Sequence, residues 1–141
     1  MRIFAIFLIN ILLSLHLFAS ENKWEGMILK KMLQSIVKDR AVCIYTKDKS
    51  LQKEFSKTYR YHIVDECQGS DFVLLRSNEH NGSCYKPTIV FNYYDYLHMP
   101  TAIGVFFWQK GRPTIRFSKK RLNHFNLEVT GELSKFVSSG K

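Results

Sequence analysis

The sequence predicts an α/β fold: a three-layer single domain with a mostly parallel sheet flanked by helices and a C-terminal antiparallel hairpin. Short continuous apolar runs, typical of strands buried on both faces, alternate with stretches in which apolar residues recur at helical spacing. Near the C-terminus, two apolar runs are separated only by the turn-forming segment 110–113. Strands that alternate with helices favour a parallel sheet, whereas two strands joined by a short turn pair antiparallel.

The elements before the hairpin follow from these patterns in chain order. In residues 24–37 a broad apolar stripe at helical spacing predicts an amphipathic helix. Within 46–60, Leu51, Phe55 and Tyr59 lie four residues apart and mark one face of a second helix. The remaining predictions are strands over 41–45, 61–64, 71–75 and 87–91, a loop over 76–86, and a short helix within 91–98.

The C-terminal part of the chain is predicted to combine the hairpin with two helices. Its strands cover 103–109 and 114–117, and a last helix covers 130–137 with its apolar residues on one face. Between them, Ser118 is placed to cap a short helix, and Leu122 and Phe125 lie three residues apart on its inner face.

Length and composition indicate a folded domain with one core. The chain has 141 residues, of which 45% are hydrophobic and 14% aromatic. This composition excludes an intrinsically disordered chain, and the length suits one modest domain. The formal net charge of +9 favours an anionic partner, whose class depends on the compartment.

The N-terminal sequence MRIFAIFLINILLSLHLFAS has the layout of a secretory signal peptide. We expect residues 1–20 to be this signal and 21–141 to be the domain. The alternative is an uncleaved membrane anchor, because about 17 residues between Arg2 and Ser20 reach the lower limit for spanning a bilayer, and Leu17 fits the cleavage pattern poorly. An exported basic chain meets membrane surface, cell-wall polymers or acidic proteins, so nucleic acid is not the expected partner.

Three cysteines lie in a chain predicted to reach a disulfide-permissive compartment. Neighbouring parallel strands would bring Cys43 beside Cys67, and this pair is favoured, with Cys84 then a free thiol. Two alternatives stay open: Cys67 and Cys84 meeting across a surface loop, and a fully reduced set of thiols.

Motifs for catalysis and for metal binding are weak or missing. The sequence has no Gly-x-Ser-x-Gly elbow, no glycine-rich phosphate loop and no pair of carboxylates flanked by apolar residues, so we expect no enzyme and no cofactor. Cys67, His80 and Cys84 resemble a zinc half-site whose fourth ligand would have to be His62 or His98, and we expect no metal. Asn81 begins an Asn-Gly-Ser glycosylation acceptor, for which an ordinary Asn-Gly turn is the alternative and the favoured interpretation.

A basic cluster lies at the joint between the hairpin and the short helix. Lys119, Lys120 and Arg121 crowd the first turn of that helix, where the helix dipole disfavours cations. Either these charges are simply solvated, or they contact an acidic partner. With Arg112 and Arg116 of the hairpin they are the candidates for partner binding.

The C-terminal third resembles the ending of the YfiR-like periplasmic repressor family. In that family a Gly-Arg turn and an Arg-Phe strand lead through a short helix to a Gly-Leu-x-Ile-Ser-Ser-x-Leu-Leu-type segment, and NLEVTGEL at 126–133 looks like that segment without gaps. AVCIY at 41–45, SDFVLL at 70–75 and KPTIVFN at 86–92 are similar to its three preceding strands. The resemblance covers about residues 27–138 and is strongest over 103–137.

The resemblance implies both a function and a location. It implies a periplasmic, protein-binding α/β regulator, commonly a homodimer, that holds down a transmembrane signalling enzyme such as a diguanylate cyclase by binding its periplasmic part. It also implies a strand-to-strand disulfide at Cys43 and Cys67. Lys119 and Lys120 depart from the family, which usually has an apolar residue and then Asn there, and Asn126 replaces a Gly. These departures predict a shifted binding surface or a different partner. A periplasmic module that binds a small ligand or anion at the strand ends is the alternative function.

Overall fold

The computed structural model describes residues 24–76 and 84–139, and these build a seven-stranded sheet with helices on both faces. The described elements are, in order, α1 (24–37), β1 (Val42–Tyr45), α2 (Lys49–Ser56), β2 (Tyr61–Ile63), a 3-10 turn (Cys67–Gly69), β3 (Phe72–Leu75), β4 (Thr88–Val90), α3 (Tyr93–His98), β5 (Ala102–Gln109), β6 (Arg112–Ser118), α4 (Lys119–His124), a 3-10 helix (Gly131–Phe136) and β7 (Val137–Ser138).

The strands lie in the order β2-β1-β3-β4-β5-β6-β7. The first five pair in parallel, β5 and β6 form the antiparallel hairpin, and β7 pairs in parallel with the end of β6. All four residues of β3 are buried, as expected for a central strand covered on both faces. The predicted mixed fold with a mostly parallel sheet and a C-terminal hairpin is therefore confirmed.

The two faces of the sheet carry different cores. On one face Phe72 and Leu74 of β3 join the apolar side chains of α1 and α2, with Phe55 fully buried among them. On the other face Val73 and Leu75 join Tyr96 of α3 and a smaller cluster. Because successive side chains of a strand point to opposite faces of the sheet, the four residues of β3 contribute two side chains to each of the two cores.

The hairpin is longer and its turn is shorter than predicted. Lys110 and Gly111 have positive φ angles of 51° and 75°, the pair of left-handed residues that a two-residue type I′ loop needs. Arg112 is therefore already in β6, paired with Gln109, and the next residue, Pro113, also lies in the strand rather than in the turn. The turn prediction of 110–113 was wrong by these two residues.

The predicted last helix is a 3-10 helix followed by the short strand β7. Thr130 ties its start to the end of α1, since both its N–H and its hydroxyl donate to the carbonyl of Ser35, at 2.8 and 3.1 Å. Leu133, Phe136 and Val137 pack against the core on the α1 side, so the predicted shared apolar face is confirmed although the helix type is not.

The disulfide joins Cys67 to Cys84, with their Cα atoms 6.0 Å apart, and Cys43 is the free cysteine. The favoured pairing of Cys43 with Cys67 was wrong, and so was the free thiol at Cys84. Cys43 faces His62 across the β1–β2 pair, whereas Cys67 lies in the turn before β3 and Cys84 in the segment before β4. Neighbouring parallel strands begin at the same edge of a sheet, which brings these two segments together.

We predict that peptide mapping without reduction links the Cys67 and Cys84 peptides. Cys84→Ser should lower the free energy of unfolding by about 3 kcal/mol, because the bond closes a loop of moderate length. Cys43→Ser is the matched control and should keep the link and most of the stability. A link between the Cys43 and Cys67 peptides would contradict this assignment.

Candidate protein-binding surface

The surplus of positive over negative charge is larger in residues 84–139 than in residues 24–76, and no ion pair offsets it there. Residues 84–139 contain eight Lys and Arg but only three Asp and Glu. The ion pairs found among the described residues all lie in the first half: Lys30–Glu54, Lys57–Glu54, Arg76–Glu25 and Arg76–Asp48. Within residues 24–76 and 84–139, no cation after residue 84 has an acidic side chain as a partner. The surplus positive charge is therefore available to a partner molecule.

The two hairpin candidates lie on the same face of β6. Arg112 and Arg116 are both exposed, and residues an even number apart along a strand share a face. Arg116 also lies over the ring of Tyr93, with 5.5 Å from its guanidinium carbon to the ring centroid. Both arginines therefore belong to the side of the sheet that α3 covers.

The predicted short helix α4 is confirmed, and its basic residues divide into two kinds. Ser118 caps it as predicted, accepting from the N–H of Arg121 at 3.3 Å. Lys119 and Lys120 are exposed and form no ion pair with any described residue. They stay candidates for partner binding.

Arg121 instead holds the fold together. Its guanidinium donates to three backbone carbonyls, those of Tyr96, Ala102 at 2.9 Å and Leu97 at 3.1 Å. The guanidinium also lies 5.5 Å from the ring centroid of Tyr96. The hydrogen bonds of the Arg121 side chain thus connect α4 to the end of α3 and the start of β5. We therefore remove it from the residues that contact a partner directly.

Exposed aromatic side chains on α3 are a feature that the sequence interpretation missed. Tyr93, Tyr94 and Leu97 are 42%, 70% and 47% exposed, whereas only Tyr96 of this helix is buried. With Arg116 they form a continuous surface, which we call the α3 patch. The run Tyr-Tyr-Asp-Tyr could have predicted this exposure, since a two-turn helix cannot direct three closely spaced tyrosine side chains towards the same core.

The carboxyl ends of the parallel strands, where a small-ligand site would be expected, are occupied by Arg76. Its guanidinium donates to Glu25 and to Asp48, the latter at 3.0 Å, and lies 4.3 Å from the ring centroid of Phe91. Burial would raise the pKa of Asp48, but hydrogen bonds from Ser50, from a backbone N–H and from Arg76 outweigh it and hold that pKa below its ordinary value. This network is structural.

A cleft of about 360 Å³ opens instead at the other end of the sheet, between α3, α4 and the segment before β4. Tyr85, His98, Lys120 and His124 are among its lining residues. The hydroxyl of Tyr85 and Nε2 of His124 are 2.7 Å apart and hydrogen-bonded. The cleft therefore joins the α3 patch to the basic residues of α4.

Several predictions concern metals, modification and the membrane. Cys67 and Cys84 are joined in the disulfide, so neither thiol can serve the zinc half-site, and among the described residues no group of three or more His, Cys, Asp or Glu is arranged for a metal. His80, Asn81 and the signal segment 1–20 lie outside the described residues.

None of the helices in the described part of the chain is long and apolar enough to cross a membrane.

No family model matches the chain, and no curated protein matches it. The YfiR-like assignment stays a prediction that rests on the residues quoted for it.

We predict that Asp48→Asn lowers the free energy of unfolding by about 1–2 kcal/mol at pH 7, because it removes a charged hydrogen-bond acceptor of Arg76. A carboxyl whose pKa is lowered on folding contributes stability above its unfolded pKa and loses it as pH falls through the folded value. The difference between variant and wild type should therefore shrink below about pH 4. Asp65→Asn is the control in denaturation curves recorded across this pH range, because Asp65 is exposed and forms no ion pair with a described residue.

We also predict that Arg121→Lys lowers the free energy of unfolding by about 1–3 kcal/mol, because an ammonium cannot reproduce the fork that reaches three carbonyls. Lys119→Arg is the matched control and should change stability by less than about 0.5 kcal/mol. Equal denaturant midpoints for Arg121→Lys and wild type would contradict the structural role.

Proposed function

We propose that this protein is an exported regulator that docks onto the periplasmic part of a transmembrane signalling enzyme, specifically a diguanylate cyclase. It acts by binding one conformation of that enzyme better than another, because only differential binding shifts a conformational equilibrium. The observation that carries the proposal is the un-neutralised basic surface of β6 and α4 beside the α3 patch. The signal-peptide pattern and the YfiR-like resemblance supply the compartment and the class of partner.

The composition of this surface favours a protein partner. Tyrosine and arginine are the residue types enriched where proteins bind each other, and aromatic anchors beside a charged rim are typical of such sites. The α3 patch provides Tyr93 and Tyr94, and the rim provides Arg112, Lys119 and Lys120. An acidic partner surface would complement the charge and speed association.

The same charge argues against self-association through this face. Two copies that met here would bring their basic residues together without acidic side chains between them, and like charges across an interface cost several kcal/mol. The homodimer implied by the family resemblance would therefore use another surface. The edge strand β2, at the opposite end of the sheet, is the natural candidate.

We predict that cross-linking in the periplasm captures an integral membrane protein with a cyclase domain, and that deleting the regulator raises the cellular level of cyclic-di-GMP. Both outcomes are expected if the regulator stabilises the inactive state of the enzyme. Failure to capture a membrane protein, together with a small molecule found by native mass spectrometry, would overturn the docking proposal.

The surface itself is tested by charge reversal. Lys119→Glu with Lys120→Glu should weaken partner binding by about tenfold or more, because two attractive contacts become repulsive. Lys49→Glu with Lys53→Glu makes the same change of charge on exposed positions of α2 and should leave binding within about twofold. Equal loss in both double variants would indicate general electrostatics, and unchanged binding in both would mean that Lys119 and Lys120 contact only water.

Binding of a small anion is the second candidate function. The cleft lined by Tyr85, His98, Lys120 and His124 favours it, whereas the crevice at the carboxyl ends of the strands is occupied by the Arg76 network. Such binding is compatible with docking, since the cleft lies beside the α3 patch.

A further inference from the structure

The cleft between α3 and α4 collects positive charge and hydrogen-bond donors from three separate segments. Lys120 and His124 come from α4, His98 from the last turn of α3, and Tyr85 from the segment that follows the disulfide. Arg121 also lines the cleft. None of the described residues that line this cleft is Asp or Glu. Among the described residues, an anion that entered it would meet cations and polar groups rather than carboxylates.

The charge of Arg121 is held in place without being neutralised. Its hydrogen bonds go to the carbonyls of Tyr96, Leu97 and Ala102, which orient the guanidinium but carry no net charge. In the described part of the chain it has no acidic partner, as the ion pairs found there all involve other residues. A fixed positive charge behind a cleft attracts an anion without the entropy loss of ordering a long side chain.

The hydrogen bonds of the two histidines fix their rings. A carbonyl oxygen only accepts, so Nδ1 of His98, 2.8 Å from the carbonyl of Tyr94, must carry the proton, and Nε2 is left for another partner. Nε2 of His124 shares its hydrogen bond with the hydroxyl of Tyr85, whose ring also packs against Phe125 at 5.4 Å between centroids. These polar groups are therefore held in a defined arrangement before any ligand arrives.

The shape and the apolar part of the lining restrict the ligand. Leu97, Pro100 and the ring of Tyr85 supply apolar surface beside the charged groups. The volume of about 360 Å³ lies at the lower end of the range for small-molecule sites. A lining that offers both donors and an acceptor from separate segments suits an oxyanion with three terminal oxygens better than a planar carboxylate, which presents two.

We propose that this cleft binds a phosphomonoester with a small apolar body. Lys120 supplies a point charge to the phosphate, and the Tyr85 hydroxyl donates to one of its oxygens while it accepts from Nε2–H of His124. Nε2 of His98 accepts from a protonated phosphate oxygen, and Arg121 supplies a fixed charge. The apolar body rests against Leu97 and Pro100. The phosphate would come from a free metabolite or from a lipid headgroup, and the chemistry recognised is the same.

This site does not depend on the proposed docking, and it is tested with the purified protein alone. Isothermal titration calorimetry would compare phenyl phosphate, inorganic phosphate and benzoate at fixed ionic strength. Phenyl phosphate should bind about tenfold more tightly than either, because it alone has both the tetrahedral oxyanion and the apolar body. Equal affinity for benzoate, or no binding of any probe that includes phosphate, would overturn the proposal.

Two variants locate the site. Lys120→Gln should weaken phenyl phosphate binding about tenfold, and Tyr85→Phe, which removes only the hydroxyl, about threefold. Lys110→Gln removes an equally exposed positive charge at the hairpin turn, outside the cleft, and should leave the affinity within about twofold. Equal weakening by Lys120→Gln and Lys110→Gln would mean diffuse electrostatic attraction and would refute a defined site.

A binding assay with lipid vesicles distinguishes the two possible sources of the phosphate. Vesicles of phosphatidylcholine with phosphatidic acid present the same phosphomonoester on a membrane. Binding of phenyl phosphate without vesicle binding supports a free metabolite. Binding to the vesicles that Lys120→Gln abolishes and Lys110→Gln spares supports a lipid headgroup. Vesicle binding that both variants weaken equally would overturn the assignment to this cleft.

Discussion

The hydrogen bonds of Arg121 to three backbone carbonyls are the interaction on which the functional side of the molecule depends. Through them α4 is held against the end of α3 and the start of β5. The proposed contacts on α3 and α4 are positioned by this arrangement: Lys119 and Lys120 project from α4, and Tyr93 and Tyr94 project from α3. A buried ion pair would have neutralised the arginine, whereas carbonyl acceptors leave its charge effective at the surface.

The two halves of the fold differ in whether their charged side chains form ion pairs. In the first half, Glu54 and Arg76 each join two partners of opposite sign, and these networks tie α1 and α2 to the sheet. In the second half the cations face outward and the side chains that hold the elements together are aromatic or uncharged, apart from Arg121. The ion pairs that stabilise the fold thus lie in the first half of the described chain, and the cations proposed to bind a partner lie in the second half.

Much of the fold could be predicted from the sequence because its signals are local. The apolar runs of β1, β3 and β4, the cap at Ser118 and the stripe of α1 need only a few neighbouring residues to be recognised. The disulfide depends on which strands are neighbours and where each begins, which no local pattern encodes. Likewise Arg121 looks like Lys119 and Lys120 in the sequence, and only the position of α3 distinguishes it. The candidate surface was therefore found in part: its charges were recognised and its aromatic half was not.

The short pairing between β6 and β7 has a consequence for how the molecule avoids aggregation. β7 pairs with Phe117 and Ser118, and within residues 24–76 and 84–139 no strand pairs with the earlier part of β6 on this side. A bare edge strand is a template on which further chains can add. Here the edge carries Arg112, Arg116 and Pro113, and a proline lacks the N–H that an added strand would need. Repulsion between arginines and a missing donor thus protect the hairpin from polymerisation while leaving it open to a partner of opposite charge.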